Sequence, residues 1–179
     1  MFQRLEDVEK RYEELNVLIS DPDVISRQNE WKNYILGENG IIDKWFSLGI
    51  DGLRLDVADE LPDTFLDNIR KAIKADSEDN FLLGEVWEDA TNKISYDVRR
   101  RFLRGKQLDS VMNYPFAAAL IKFMTGGSGE DLTDTVMNIC ENYPRQALRL
   151  LMNHIGTHDT ERILTALGGE HAFGRGRDW

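Results

Sequence analysis

Three short segments of this chain place a carboxylate at or near the end of a predicted strand. The first has the sequence LRLDV at residues 53–57, in which apolar and charged residues alternate. The two-residue period of a strand puts Arg54 and Asp56 on one face, where they can form an ion pair. Because a guanidinium stabilises the charged form of Asp56, this carboxylate suits a nucleophile near neutral pH. Alone, the motif is equally compatible with an Asp that caps the next helix.

The second carboxylate is Glu85, which lies in the otherwise apolar sequence LLGEVW at residues 82–87. Burial penalises a charged carboxylate and therefore predicts a raised pKa, which a general acid requires. Trp87 offers a flat apolar face on which a sugar ring could stack. The alternative is a glutamate at a helix N-terminus, where the helix dipole favours negative charge.

The third segment, NHIGTHDTER at residues 153–162, follows another apolar stretch and contains Asp159. His158 and Asp159 form a potential metal-binding pair. However, the three histidines, at positions 154, 158 and 171, lack a compact spacing with a third donor. The sequence therefore predicts no metal site and no other cofactor.

Alternating helices and strands must position these residues. Helices are predicted at 39–48, 62–75, 117–123, 132–140 and 163–167, with a further helix somewhere between residues 88 and 103. Strands are predicted at 52–57, 81–86, 108–113 and 149–153. Such alternation predicts a parallel sheet with helical crossovers, in an α/β barrel or a doubly wound sheet. Four strand–helix units can be counted.

The net charge and the cysteine content restrict which binding partners and which cellular location are expected. The net charge of −10 argues against binding nucleic acid, which requires clustered cations. The basic run at residues 99–104 is interpreted as a solvated helix face. Cys140 is the single cysteine, which excludes an intrachain disulfide and fits a cytoplasmic location. No apolar run is long enough to span a membrane, and the charged N-terminus does not resemble a signal peptide.

Together, GIDGLRLDVADELPD, FLLGEVWEDA and NHIGTHDTER resemble three signature regions of glycoside hydrolase family 13, in order and spacing. The neopullulanase and cyclomaltodextrinase type is the most similar. The resemblance implies that Asp56 is the nucleophile, Glu85 the general acid and base, and Asp159 a transition-state stabiliser. It also implies that Arg54 positions Asp56 and that His158 binds sugar hydroxyls. Trp87 is the further substrate-binding candidate.

The resemblance covers residues 34–179 and implies a partial TIM (β/α)8 barrel, with about four βα units that correspond to barrel strands 4 to 7. The family's first signature region, which often helps to bind calcium, has no counterpart here. Residues 1–32 resemble the N-terminal helical segment of a bacterial class-1 peptide-chain release factor. They predict a helical hairpin, so we divide the chain into a segment at 1–33 and the partial barrel at 34–179. The family's Gly-Gly-Gln motif is absent, so release activity is not expected.

The expected activity is retaining hydrolysis of α-1,4-linked glucans through a covalent glycosyl-enzyme intermediate, impaired by truncation of the barrel. The expected partners are an α-glucan oligosaccharide or polysaccharide and, through exposed strand edges, a second copy of the chain. The alternative is an inactive fragment or chimera whose helical hairpin is an interaction module. Which α-glucan is the substrate does not follow from the sequence.

Overall fold

A computed structural model of the chain describes residues 10, 11, 13–15, 17 and 28–168. These residues divide into two compact units. The first unit combines the described residues up to Leu53 with residues 64–81, and the second combines residues 54–63 with the described residues from Leu82 onward. The N-terminal hairpin predicted for residues 1–33 lies mostly outside the described residues, although those between 10 and 17 are helical.

The first unit is largely helical. It contains α1 (Gln28–Leu36), α2 (Ile41–Ser47) and all but the first residue of α3 (Asp63–Asp76). Apolar residues of α3 recur at steps of three and four, as one face of a helix requires. The buried side chains of α2 and α3 are Ile42, Phe46, Leu66, Ile69 and Ile73.

A three-stranded sheet, in the order β1–β2–β5, contains β1 (Gly52–Leu55), β2 (Phe81–Gly84) and β5 (Ser110–Val111). β2 and β5 are parallel, with Leu83 opposite Ser110. Directly after β5, Met112 forms an isolated parallel bridge with Met152, so the segment around Met152 lies next to β5. The carboxyl ends of these strands therefore lie along one edge, as predicted for consecutive barrel strands.

Helices flank these strands in the second unit. They are α4 (Tyr114–Met124), α5 (Gly129–Asn142), α6 (Arg145–Arg149) and α7 (Ile163–Gly168). Asn113 caps α4 by accepting a hydrogen bond from the Phe116 N–H, and Ser128 caps α5 in the same way. The buried apolar side chains of this unit include Leu82, Val86, Phe102, Leu108, Val111 and Ile139.

The helix predicted at 88–103 is wrong. The chain there forms an antiparallel hairpin of β3 (Ile94–Ser95) and β4 (Val98–Arg99). Tyr96 and Asp97 between the strands have positive φ, which a helix does not allow. Nor is the basic run a solvated helix face, because Arg100 is buried and donates to the backbone carbonyls of Asp59 and Leu61.

The strand predicted at 149–153 is confirmed at one position only. Arg149 ends α6, and Met152 alone forms a bridge. The other predicted strands and helices are found within a few residues of their expected bounds. No helix among the described residues is long and apolar enough to cross a membrane.

Candidate active site

Arg54 joins two of the predicted catalytic carboxylates. Its Nη1 atom hydrogen-bonds Asp56 Oδ1, and its Nη2 atom lies 3.0 Å from Glu85 Oε2. The Arg54–Asp56 ion pair predicted from strand periodicity is confirmed. The two carboxylates differ in exposure, since the Asp56 side chain is 70% exposed and the Glu85 side chain only 4%. Asp56 is thus open to a ligand, while Glu85 is held inside the protein.

Both carboxylate oxygens of Glu85 have hydrogen-bond donors. The Val57 N–H donates to Oε2 at 2.8 Å, and the indole Nε1–H of Trp87 donates to Oε1 at 3.0 Å. The hydroxyl of Tyr114 also donates to Oε1, at 3.2 Å. Val57 has a φ of 44°, which is strained for a β-branched residue, and this turn directs its N–H toward Glu85.

These donors reverse the expected shift in the pKa of Glu85. Burial raises this pKa, as predicted, but the hydrogen bonds from Val57, Trp87 and Tyr114 and the charge of Arg54 together lower it. The net pKa lies below the ordinary value of 4.5, so the prediction of a raised pKa is wrong for this structure. Burial is the largest single influence on this pKa, but the three hydrogen bonds and the charge of Arg54, which all favour the ionised form, together outweigh it. Glu85 is ionised at neutral pH.

Aromatic side chains form the wall beside Glu85. The rings of Trp87 and Tyr114 are stacked, with centroids 4.4 Å apart and an interplanar angle of 12°. The edge of His154 meets Tyr114 with centroids 4.5 Å apart. These three residues, with Ile121 and Ile155, line a cavity of about 260 Å³. Trp87 is 46% exposed although one of its ring faces is stacked on Tyr114.

The third carboxylate lies on the loop that follows Met152. Asp159 Oδ2 is 3.2 Å from His158 Nε2, and both side chains are open to solvent. The negative charge of Asp159 contributes to the raised pKa of Tyr114, whose largest cause is burial. Asp159 is therefore close enough to influence the phenol that contacts Glu85. The loop is held by Thr160 Oγ1, which accepts a hydrogen bond from the Thr157 N–H.

Three contacts at this site were missed by the sequence analysis. They are the backbone N–H of Val57, the Tyr114 hydroxyl and the ring of His154. Tyr114 carried a usable signal, because it directly follows the strand predicted at 108–113. His154 lies in the NHIGTHDTER segment, but its contact with the Tyr114 ring is seen only in the structure, where its two ring nitrogens are buried and have no hydrogen-bond partner among the described residues. Burial lowers the pKa of His154 and favours its neutral form.

Two other features of the structure were candidates for a functional site, namely a metal-binding cluster and a second cavity. Within the described part of the chain, no three His, Cys, Asp or Glu side chains are grouped to hold a metal ion. A cavity of about 320 Å³ in the first unit is lined by residues of α2, α3, the end of α1 and the turn after it, and contains none of the predicted site residues. The carboxylates joined by Arg54 are thus the candidate active site.

Comparison with known protein families distinguishes between an α/β barrel and a doubly wound sheet, the two folds that alternating strands and helices allow. The sequence model of the α-amylase catalytic domain matches residues 5–177. The chain belongs to the α-amylase family. It is 37% identical over 152 residues to a cyclomaltodextrinase of Geobacillus thermopakistaniensis, and 38% identical over 130 residues to neopullulanase 2 of Thermoactinomyces vulgaris. These alignments cover 83% and 72% of the chain, but 24% and 21% of the two relatives.

Solved structures show the same partial likeness to α-amylase family members. The type III pullulan hydrolase from Thermococcus kodakarensis superimposes with a TM-score of 0.65 at 32% identity, covering 78% of this chain and 23% of that one. A cyclic α-maltosyl-(1→6)-maltose hydrolase from Arthrobacter globiformis gives a TM-score of 0.63 at 28% identity, covering 83% and 30%. The chain therefore spans about a quarter of the length of the relatives it matches, as part of a TIM barrel.

Proposed function

We propose that this chain carries the catalytic residues of a retaining glycoside hydrolase acting on α-1,4-linked glucans. The observation that carries the proposal is the bridge that Arg54 makes between exposed Asp56 and buried Glu85. Retaining enzymes need two carboxyl groups about 5–5.5 Å apart, and sharing one guanidinium supports such a short separation. Relatives named cyclomaltodextrinase and neopullulanase support the α-glucan as the substrate class.

In this mechanism Asp56 attacks the anomeric carbon, and Glu85 donates a proton to the departing glycosidic oxygen. Glu85 must first be protonated, although its pKa is low in the free protein. A sugar that binds over Trp87 and draws the indole away from Oε1 removes one of the hydrogen bonds that lower this pKa, and so raises it. Substrate binding thereby favours the protonated form of Glu85, which is the form that acts as the acid.

Formation of the glycosyl ester removes the negative charge of Asp56. Arg54 is then no longer shared between two carboxylates, and its charge acts on Glu85 alone. This change favours the ionised form of Glu85, which is the form that activates water in the second step. The shared guanidinium thus lets one carboxyl group act first as an acid and then as a base.

Asp159 and His158 complete the proposed site. The exposed carboxylate of Asp159 is available to the positive charge that develops on the sugar ring, and His158 is available to its hydroxyls. Both roles are proposals that rest on the family resemblance and on the position of the loop.

The decisive experiment measures the release of reducing ends from soluble starch, a cyclic glucan and pullulan by the full chain. Asp56→Asn and Glu85→Gln should each abolish release, because one removes the nucleophile and the other the acid. Asp134→Asn is the matched control, since it removes an exposed carboxylate on α5, and its activity should equal that of the unchanged chain. Release by all four proteins alike, or by none of them, would contradict the proposal.

Three further expectations remain predictions. Self-association is supported by the exposure of Leu150, Met152 and Ile155 beside the last bridge of the sheet, and sedimentation velocity tests it. The release-factor resemblance of residues 1–32, and with it the division at 33/34, lies mostly outside the described residues. The cytoplasmic location rests on cysteine content alone.

A further inference from the structure

Tyr114 is the most constrained aromatic residue at the site. It begins α4 directly after the cap Asn113, and only 5% of its surface is exposed. One ring face stacks on Trp87, and the edge of His154 meets the ring from another side. The phenol oxygen therefore has little freedom to move.

The Tyr114 hydroxyl and Trp87 share the same oxygen of Glu85. The indole donor comes from a half-exposed residue, whereas the phenol donor comes from a buried one. Oε2, by contrast, is held by a backbone N–H and a guanidinium. If a sugar displaces the indole, the phenol is the one donor to Oε1 that the described contacts leave in place.

We propose that Tyr114 is a positioning residue that fixes Oε1 of Glu85 from the buried side of the site. This inference rests on the proposed function, in which Glu85 is the acid and base. Burial raises the pKa of Tyr114, and so does the charge of Glu85, against an opposing hydrogen bond from Thr157. The phenol stays protonated at neutral pH and donates its hydrogen. Its donation stabilises the ionised carboxylate.

The charged and titratable groups around this contact are few. Arg54 acts directly on Glu85, Asp56 acts through Arg54, and Asp159 acts on the phenol. His154 lies against the ring and is kept neutral by burial. Removing the phenol hydroxyl leaves all of these charged groups in place and removes, besides the contact with Glu85, the hydrogen bond from Thr157.

The ionisation of Glu85 can be followed without turnover through the Trp87 indole N–H. The chain has four tryptophans, so ¹H–¹⁵N spectra of the full chain show four indole signals, and Trp87→Phe identifies the one from Trp87. Between pH 7 and pH 3 this signal should titrate with Glu85, and Glu85→Gln should abolish that titration. In Tyr114→Phe, which keeps the ring, the midpoint should move to higher pH by about one unit.

Tyr96→Phe is the matched control, because it removes a phenol that donates to a different carboxylate, Glu60. It should leave the Trp87 midpoint unchanged. An unchanged midpoint in Tyr114→Phe would overturn the inference, since a purely structural tyrosine would not move it. Such a result would not affect the proposed function, which the assay of starch hydrolysis tests separately. Conversely, a shifted midpoint in a chain without hydrolysis keeps the positioning contact and refutes the proposed function.

A second measurement covers the case in which Tyr114→Phe does not fold. In the unsubstituted chain labelled with ¹³C at tyrosine Cζ, the Tyr114 signal is identified by its through-space contact with Trp87. It should titrate with the same midpoint as the Trp87 indole. A Tyr114 signal that is insensitive to the ionisation of Glu85 would overturn the inference.

Discussion

Replacing Arg54 with methionine removes the guanidinium between Asp56 and Glu85 while keeping much of the side-chain length. Asp56 is mostly exposed, so water replaces its lost partner, but Glu85 is buried and loses an ion pair. Removing one partner of a fully buried pair costs about 3–5 kcal/mol. Because Arg54 is itself 29% exposed and Glu85 keeps three hydrogen-bond donors, we expect a loss of about 2 kcal/mol in the free energy of unfolding.

This loss should depend on pH. The pKa of Glu85 is lowered in the folded protein, so its stabilising contribution is present above its unfolded pKa and is lost as the pH falls through the folded value. The difference between Arg54→Met and the unchanged chain should therefore be largest near pH 7 and should shrink below about pH 4.5. Protonation of Glu85 removes the charge on which Arg54 acts.

Urea unfolding, followed by circular dichroism at several pH values, measures this difference. Lys122→Met is the control, because Lys122 forms an exposed ion pair with Asp131 that should contribute less than about 1 kcal/mol. A cost for Arg54→Met that is the same at pH 7 and pH 3.5 would show that Arg54 does not act through the charge of Glu85. So would a cost no greater than that of Lys122→Met.

Two backbone positions near the site give further predictions. Val57→Gly relieves a positive φ and should leave the free energy of unfolding unchanged or raise it by up to about 1 kcal/mol. Val98→Gly, in β4, should instead lower the free energy of unfolding by about 1 kcal/mol. Equal losses for the two variants in urea unfolding would refute strain at Val57. Gly84→Ala places a Cβ 2.3 Å from a methyl of buried Leu108 and should cost about 1–3 kcal/mol, while Gly156→Ala meets nothing closer than 3.9 Å and should cost less than about 1 kcal/mol. Thermal unfolding of both alanine variants tests this difference, and similar costs would contradict it.

Local patterns predicted the strands that carry the catalytic candidates. The ion pair between Arg54 and Asp56 was predicted from the two-residue period of a strand, and it forms although β1 ends at Leu55 and Asp56 lies in the turn that follows. The burial of Glu85 likewise follows from its apolar neighbours in the chain. The alternation of strands and helices predicted a parallel sheet, and in such a sheet the carboxyl ends of neighbouring strands lie at one edge.

Contacts between distant parts of the chain were not predictable in this way. Glu85 receives donors from Val57 and Tyr114, which lie 28 and 29 residues away, and these add to the effects of Trp87 and Arg54 that together lower its pKa. Arg100 is buried because the carbonyls of Asp59 and Leu61 accept its hydrogen bonds across about 40 residues of chain. Helical periodicity in the basic run carried no information about either acceptor.

Trapping the covalent intermediate tests the role of Asp56 as the nucleophile most directly. In Glu85→Gln, an α-maltosyl fluoride needs no acid, because fluoride leaves as the Asp56 carboxylate forms its bond to the anomeric carbon. Mass spectrometry of the digested chain should show one maltosyl adduct on the peptide that contains Asp56, and none when Asp56→Asn is added. An adduct on another residue, or no adduct in a folded Glu85→Gln chain, would contradict the assignment of Asp56 as the nucleophile.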